Sequence, residues 1–195
     1  MKHLLALIFF AALPAQAAMV GAAAPEFALE NIAGGNVKLA QYRGKYVVLE
    51  WVNPECPYVR KHYGGANMQR LQKDYTARDV VWLSINSTRA GHAEYKAPAE
   101  MTGWMKQMNA APTATLLDPK GDVGRAYGAR TTPHMYIIDP KGVLVYAGGI
   151  DDKRSTDPED IKTSRNYVRA AMDELLAGKP VSQASTTPYG CSVKY

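Results

Sequence analysis

Tyr46-Val47-Val48-Leu49-Glu50-Trp51-Val52-Asn53-Pro54-Glu55-Cys56-Pro57-Tyr58-Val59 passes from an apolar strand pattern into the start of a helix. Its first seven residues are an apolar run interrupted by one acid, which reads as a buried strand. Asn53 and Pro54 end that run, and Pro57 stands where proline best opens a helix. Cys56 therefore falls at the carboxyl end of a buried strand and in the first turn of the next helix. Open α/β sheets place their sites at such junctions. Orphan helix N–H groups and the helix dipole favour a thiolate there, and Arg60 and Lys61 follow about one turn later. The same position also suits an inert buried cysteine or half of a structural disulfide.

Upstream, Pro25 to Asn31 alternates apolar with polar, Gly34-Gly35 turns the chain, and Val37-Lys38-Leu39 returns as a hairpin partner. Downstream, a helix runs from Pro57 to Tyr63. Gly64-Gly65 breaks or kinks it, and Met68, Leu71, Gln72 and Tyr75 continue on helical spacing. Val80 to Asn86 is a second core strand, and residues 87–97 form a loop. Pro98 opens a helix whose Met101, Trp104, Met105 and Met108 make a core stripe. Thr115-Leu116-Leu117 is a short strand ended by Asp118-Pro119-Lys120-Gly121. The same tetrapeptide recurs at 139–142 as a hairpin turn between Met135–Ile138 and Val143–Tyr146. Asp157-Pro158-Glu159-Asp160 starts a helix with Ile161, Val168, Ala171, Met172 and Leu175 on one face and a stop at Gly178. Helix-linked strands followed by an antiparallel hairpin predict an α/β fold: a mixed central sheet flanked by helices, with an N-terminal β-hairpin extension.

The amino end carries an address. Met1-Lys2-His3, the apolar run Leu4 to Leu13 and Ala15-Gln16-Ala17 have the build of a cleaved signal peptide, with the cut expected after Ala17. The apolar run is shorter than the about 20 residues of a membrane span, so no stable membrane anchor is expected. The chain then divides into residues 1–17, a domain at 18–178, and a Ser/Thr/Pro-rich tail at 179–195 that carries Cys191. Export to the periplasm or beyond places both cysteines in an oxidising compartment. The net charge of +5 is spread along the chain without a basic stripe, which argues against nucleic acid. Two cysteines and four histidines are too few and too scattered for a zinc site of familiar spacing, so no metal and no organic cofactor is expected.

Two further features belong with Cys56. Glu50 lies inside the buried strand, where a carboxylate is partly protonated or reached by water, and so is a candidate proton acceptor for thiol chemistry. It would otherwise point to solvent or pair with a lysine. Thr131-Thr132-Pro133-His134 places a proline at a strand start, a candidate cis bond. A cis Pro133 would present the backbone of Thr132 beside the thiol for an extended substrate to pair with. An ordinary trans proline at a strand edge is the alternative.

Taken together these motifs resemble the thioredoxin-like redoxins, specifically the alkyl hydroperoxide reductase/thiol-specific antioxidant (AhpC/TSA) family and its peroxiredoxin-like group. Ala24-Pro25-Glu26-Phe27 resembles the family's opening, 46–51 the strand before its active site, and Thr132-Pro133 its cis-proline motif. The resemblance covers roughly residues 22–177. It implies a thioredoxin-like fold with Cys56 as nucleophile and with Pro57, Thr132 and Pro133 positioning the substrate. Two departures stand out. The second position of a Cys-x-x-Cys pair, where the peroxide-reducing cysteine of peroxiredoxins aligns and is preceded three residues earlier by Thr or Ser, is Val59, and Asn53 stands three residues before Cys56.

Cys191 is the one other thiol. It would resolve a Cys56 mixed disulfide or sulfenic acid, staple the fold permanently, or stay free or bond a second subunit. As a staple it would be worth up to about 5 kcal/mol in the chain-entropy account. The tail before it is polar enough to fold back, and Pro188-Tyr189-Gly190 is expected to turn the chain just ahead of the thiol. The expected activity is that of an exported thiol-dependent oxidoreductase. It would act on a protein disulfide or a peroxide, with an external thiol reductant, Cys56 attacking, Cys191 resolving and Glu50 handling protons. A non-catalytic binding module with a structural Cys56–Cys191 disulfide is the rival, and a copper carrier using Cys56 with Met or His62 is a third reading.

Overall fold

The computed structural model describes residues 18–195. The expected signal peptide lies outside the described residues. Among those described, no helix is long and apolar enough to cross a membrane.

The apolar run before Asn53 becomes β3 (Val47–Trp51), with all five residues buried. It sits inside a seven-stranded mixed sheet and pairs in parallel with β4 (Val81–Asn86). Its other neighbour, β7 (His134–Ile138), is antiparallel and is continued by β8 (Leu144–Gly148). On the far side of β4 lie β5 (Ala114–Leu117) and the hairpin of β1 (Ala28–Asn31) and β2 (Asn36–Lys38). A strand covered on both faces needs apolar residues at odd and even positions alike. Val47, Leu49 and Trp51 accordingly join one core with Leu83, Ile85 and Tyr136. Val48 and Val52 join the other with Trp82, Met135 and Ile137. Period-two alternation puts Glu50 on the face of Val48 and Val52.

Helix α1 (Pro57–Gly64) and α2 (Asn67–Thr76) cover that face. They are separated at Gly65 and Ala66, the latter in the left-handed region at φ 54°. A Cβ at Gly65 would stand 2.5 Å from Ile161 Cδ1, so glycine is what lets the break pack closely. The methionine stripe of α3 (Pro98–Gln107) is core as expected: Met101 and Met105 are buried and Trp104 packs against them.

Two expectations are corrected. The helix expected from Asp157 is two pieces, a 3-10 turn at Pro158–Lys162 and then a separate α-helix. The main helix α5 (Tyr167–Leu176) starts at Asn166, whose side chain accepts from Arg169 N, and Tyr167 N is pinned to Ile150 O at 2.9 Å. A short helix, α4 (Asp122–Tyr127), comes after the first Asp-Pro-Lys-Gly and has no counterpart in the sequence reading. There the Asp118 carboxylate turns forward to accept from Gly124 N at 2.9 Å. In the second copy Asp139 accepts from Lys141 N and Val143 N and closes the β7–β8 hairpin. The shared tetrapeptide is thus neutral between helix and turn, and the residues after it decide.

The tail folds back over the domain. Ala147 N donates to Ala184 O, and Thr186 N returns a bond to Ala147 O, along the outer edge of β8. The chain then forms β9 (Cys191–Ser192), which pairs antiparallel with β6 (Thr131–Thr132).

Candidate active site

Cys56 is the N-cap residue of α1, in extended backbone, with Pro57 at the first helical position. Its own N–H donates to Asn53 O at 3.1 Å, and its carbonyl accepts from Arg60 N at 2.9 Å. The sulfur therefore stands at the opening of the helix, as the sequence indicates. The bond between Thr132 and Pro133 is cis. Thr132 O lies 3.0 Å from Cys56 Sγ and accepts its thiol proton. The edge beside it, where an extended substrate was expected, is taken by the chain's own β9, with Thr132 opposite Cys191. Cys191 Sγ is 2.6 Å from Cys56 Sγ, though 135 residues separate the two in sequence. Both are free thiols.

Cys56 is only 1% exposed. An open groove of about 510 Å³ lies nearby between α1 and α3, lined in part by Pro54, Glu55, Arg60 and Trp104, and neither sulfur borders it. Thr132 O of the domain and Cys191 Sγ of the tail both stand against the nucleophile.

The Cys191 thiol is pushed up to about 12. Burial is the largest cause, followed by its hydrogen bond with Cys56 and by the electrostatic influence of Cys56, while Lys194 pulls the other way. The expected support of Cys56 by Arg60 and Lys61 is not what these side chains provide. Arg60 donates to Pro54 O and pairs with Glu55. Lys61 is buried and donates to Lys153 O at 2.9 Å.

Glu50 is fully buried. It accepts from Tyr63 Oη at 2.8 Å, Trp82 Nε1 at 2.8 Å, Ser84 Oγ at 3.0 Å and Gln72 Nε2 at 3.2 Å. Burial raises its carboxyl above the ordinary range, and the four donors oppose that rise. None of the four is a cysteine. The carboxyl ties β3 to β4, α1 and α2.

His62, considered as a copper ligand, is buried with both ring nitrogens engaged, Nδ1 by Asn67 and Nε2 by Tyr189. Burial first, and the Lys61 charge second, lower its pKa to about 3. Asn53 is also buried; its side-chain Oδ1 accepts from Glu55 N and its side-chain amide donates to Glu94 Oε2, shaping the loop before Cys56. The sequence shows Pro188-Tyr189-Gly190 only as a turn, and it does not reveal that Tyr189 is buried beside α1. An aromatic residue two positions from the distant thiol was the available signal.

Comparison with known proteins agrees with this architecture. A structure of an uncharacterized conserved protein from Geobacillus kaustophilus superposes with a TM-score of 0.79 at 31% identity, over 91% of this chain and 92% of that one. The thioredoxin-like protein YneN of Bacillus subtilis is 27% identical over 143 residues, 72% of this chain and 79% of its own. The thioredoxin domain of a thiol-disulfide oxidoreductase from Bacteroides vulgatus shares the fold, with a TM-score of 0.55 at 17% identity over 74% of this chain and 96% of that domain. Residues 20–147 match the AhpC/TSA family. With a mixed sheet, a helix opening on a cysteine and a cis-proline edge, the chain belongs to the AhpC/TSA family and has a thioredoxin-like fold.

Proposed function

We propose that this protein is an exported thiol-dependent oxidoreductase whose working couple is Cys56 and Cys191, cycling between a dithiol and an intramolecular disulfide. The observation that carries this reading is the 2.6 Å approach of two free thiols that lie 135 residues apart in sequence. Val59 leaves no local partner, and the tail supplies one.

Cys56 attacks first, from the helix opening. With a peroxide, its thiolate takes one oxygen, the O–O bond breaks and water or an alcohol leaves, giving a sulfenic acid. With a disulfide, the S–S bond breaks and one thiolate leaves, giving a mixed disulfide. Cys191 then attacks the Cys56 sulfur, and hydroxide or the second thiolate departs with the proton. Two of the causes that hold the Cys191 proton are its hydrogen bond with Cys56 and the Cys56 charge. Both vanish once Cys56 is bonded to another atom, so the first step prepares the second. An external thiol reductant restores the dithiol. Pro57 fixes the helix opening and the cis Thr132-Pro133 bond fixes the wall opposite it. Glu50 contributes by holding strand and helices together rather than by touching sulfur.

One molar equivalent of hydrogen peroxide or of a model disulfide, each a two-electron oxidant, should remove two titratable thiols from the wild type without cross-linking chains. In Cys191→Ser, hydrogen peroxide should leave a trappable sulfenic acid on Cys56, or a model disulfide should leave a stable mixed disulfide there. The rival binding module draws support from the burial of Cys56. Thiols that react with neither reagent in the folded protein would establish that rival.

A further inference from the structure

Tyr189, Gly190 and Cys191 each occupy a matched place on the domain. The ring of Tyr189 lies edge-on to Tyr58, with centroids 5.7 Å apart, and Lys61 Nζ stands 5.8 Å from its centre. Its hydroxyl donates to Asp151 Oδ1 and lies 3.1 Å from His62 Nε2. The proton count is consistent along the chain of bonds. Asn67 donates to His62 Nδ1, so neutral His62 carries its hydrogen on Nε2, donates it to the tyrosine oxygen, and that oxygen passes its own hydrogen to Asp151. Every other member of this socket comes from α1, α2 or the segment after β8.

The socket also holds polar capacity it does not spend. Asp151 is 1% exposed, and its Oδ2 has no hydrogen-bond partner. That oxygen is 3.9 Å from both Lys61 Nζ and His62 Nε2. A carboxylate, an ammonium and an imidazole sealed around one hydroxyl are costly as packing and effective as a selective receptor for a single donor–acceptor group. Gly190 comes next at φ 140°, where a Cβ would stand 2.1 Å from Thr132 O. Cys191 is its immediate neighbour.

We infer that Tyr189 is the positioning residue of the Cys56–Cys191 couple, its hydroxyl in the Asp151–His62 socket setting how strongly the resolving thiol is presented to Cys56. This rests on the proposed redox function and adds a residue that touches neither sulfur. It makes the strength of the internal disulfide a property of the tyrosine hydroxyl, separable from the chemistry of the thiols.

The test is Tyr189→Phe in the full chain, equilibrated with reduced and oxidised glutathione. Closing the internal disulfide consumes one glutathione disulfide: its S–S bond breaks, Cys56 takes one half, Cys191 displaces it, and two glutathione thiols leave with the two protein protons. The equilibrium constant for this exchange is the effective concentration of the pair. A hydrogen bond to a charged group supports an expected fall of about tenfold. Hydrogen exchange on the reduced proteins is the second readout. The amide of Val193, bonded to Arg130 O at 3.1 Å, should lose protection in the variant while β3 and β4 keep theirs. An unchanged effective concentration with unchanged Val193 protection overturns the inference, as does protection lost equally across the sheet. If the wild type forms no internal disulfide at any glutathione ratio, the redox reading fails, and Val193 exchange alone then decides whether Tyr189 seats the tail.

Discussion

At the scale of single residues, the two sulfurs are unequal partners. Cys56 caps a helix and faces a carbonyl, while Cys191 sits in a short strand with its proton held to about 12. Burial is the largest cause of that rise, and Cys56 and then Glu94 add to it against the pull of Lys194. Replacing Cys56 by Ser removes an ionisable neighbour whose coupling to Cys191 penalises the Cys191 thiolate. The Cys191 pKa should then fall from about 12 toward the ordinary thiol range yet stay above it, because burial remains. The pH dependence of alkylation of the single thiol reads this directly. An unmoved profile would mean that Cys56 exerts no charge on its neighbour. Cys56 itself was legible as a candidate because strand, proline and helix signals converge on it within a few positions. The geometry of Cys191 was not, since no local pattern states where a polar tail comes to rest.

Among the elements, β9 is the least predictable from sequence and the most consequential for the site. Two residues are too few for propensity to specify a strand, and the edge they pair with, Thr131–Thr132, lies far upstream in the sequence. The same limit explains α4 and the split before α5. Both are set by single side chains that accept from helix N–H groups, Asp118 from Gly124 and the N-cap Asn166 from Arg169, rather than by apolar periodicity. The central strands and the methionine stripe of α3 carried that periodicity and were legible. The delicate part of β9 is its approach, where Gly190 passes Thr132. Gly190→Ala puts a methyl group into a backbone oxygen and forces an L-residue into a region it rarely adopts, at a cost of roughly 1–3 kcal/mol for the backbone alone. The sheet should survive and β9 should detach. Cys56 should then be alkylated faster than in the wild type, and the internal disulfide should close at least about tenfold more slowly. Unaltered rates of both would show that the thiols meet without this strand.

For the molecule as a whole, acid sensitivity stems from two buried histidines. His62 and His134 are each lowered to about 3, burial being the main cause in both. In the unfolded chain they titrate near 6.5. A depressed pKa means that the folded state gains its full advantage above about 6.5 and surrenders it as pH falls toward 3, at up to roughly 1.4 kcal/mol per pH unit for each ring. Glu50 has the opposite sign: its raised pKa makes its contribution fullest below the unfolded value of 4.5 and smaller as pH rises through the folded one. Urea unfolding between pH 7 and pH 4 should therefore show falling stability, steeper below 4.5 where Glu50 no longer offsets the histidines, and a His134→Gln variant should flatten the slope. A level profile would contradict neutral, buried rings. The return of the tail along β8 has one more consequence. Its bonds to Ala147 and Arg130, and those of Lys194 to Arg89, run from backbone to backbone, so a neighbouring copy offers the same partners. Two crowded chains that trade these segments would lose none of those bonds. Each nucleophile would then face its neighbour's sulfur, and oxidation would convert a reversible swap into a covalently linked dimer.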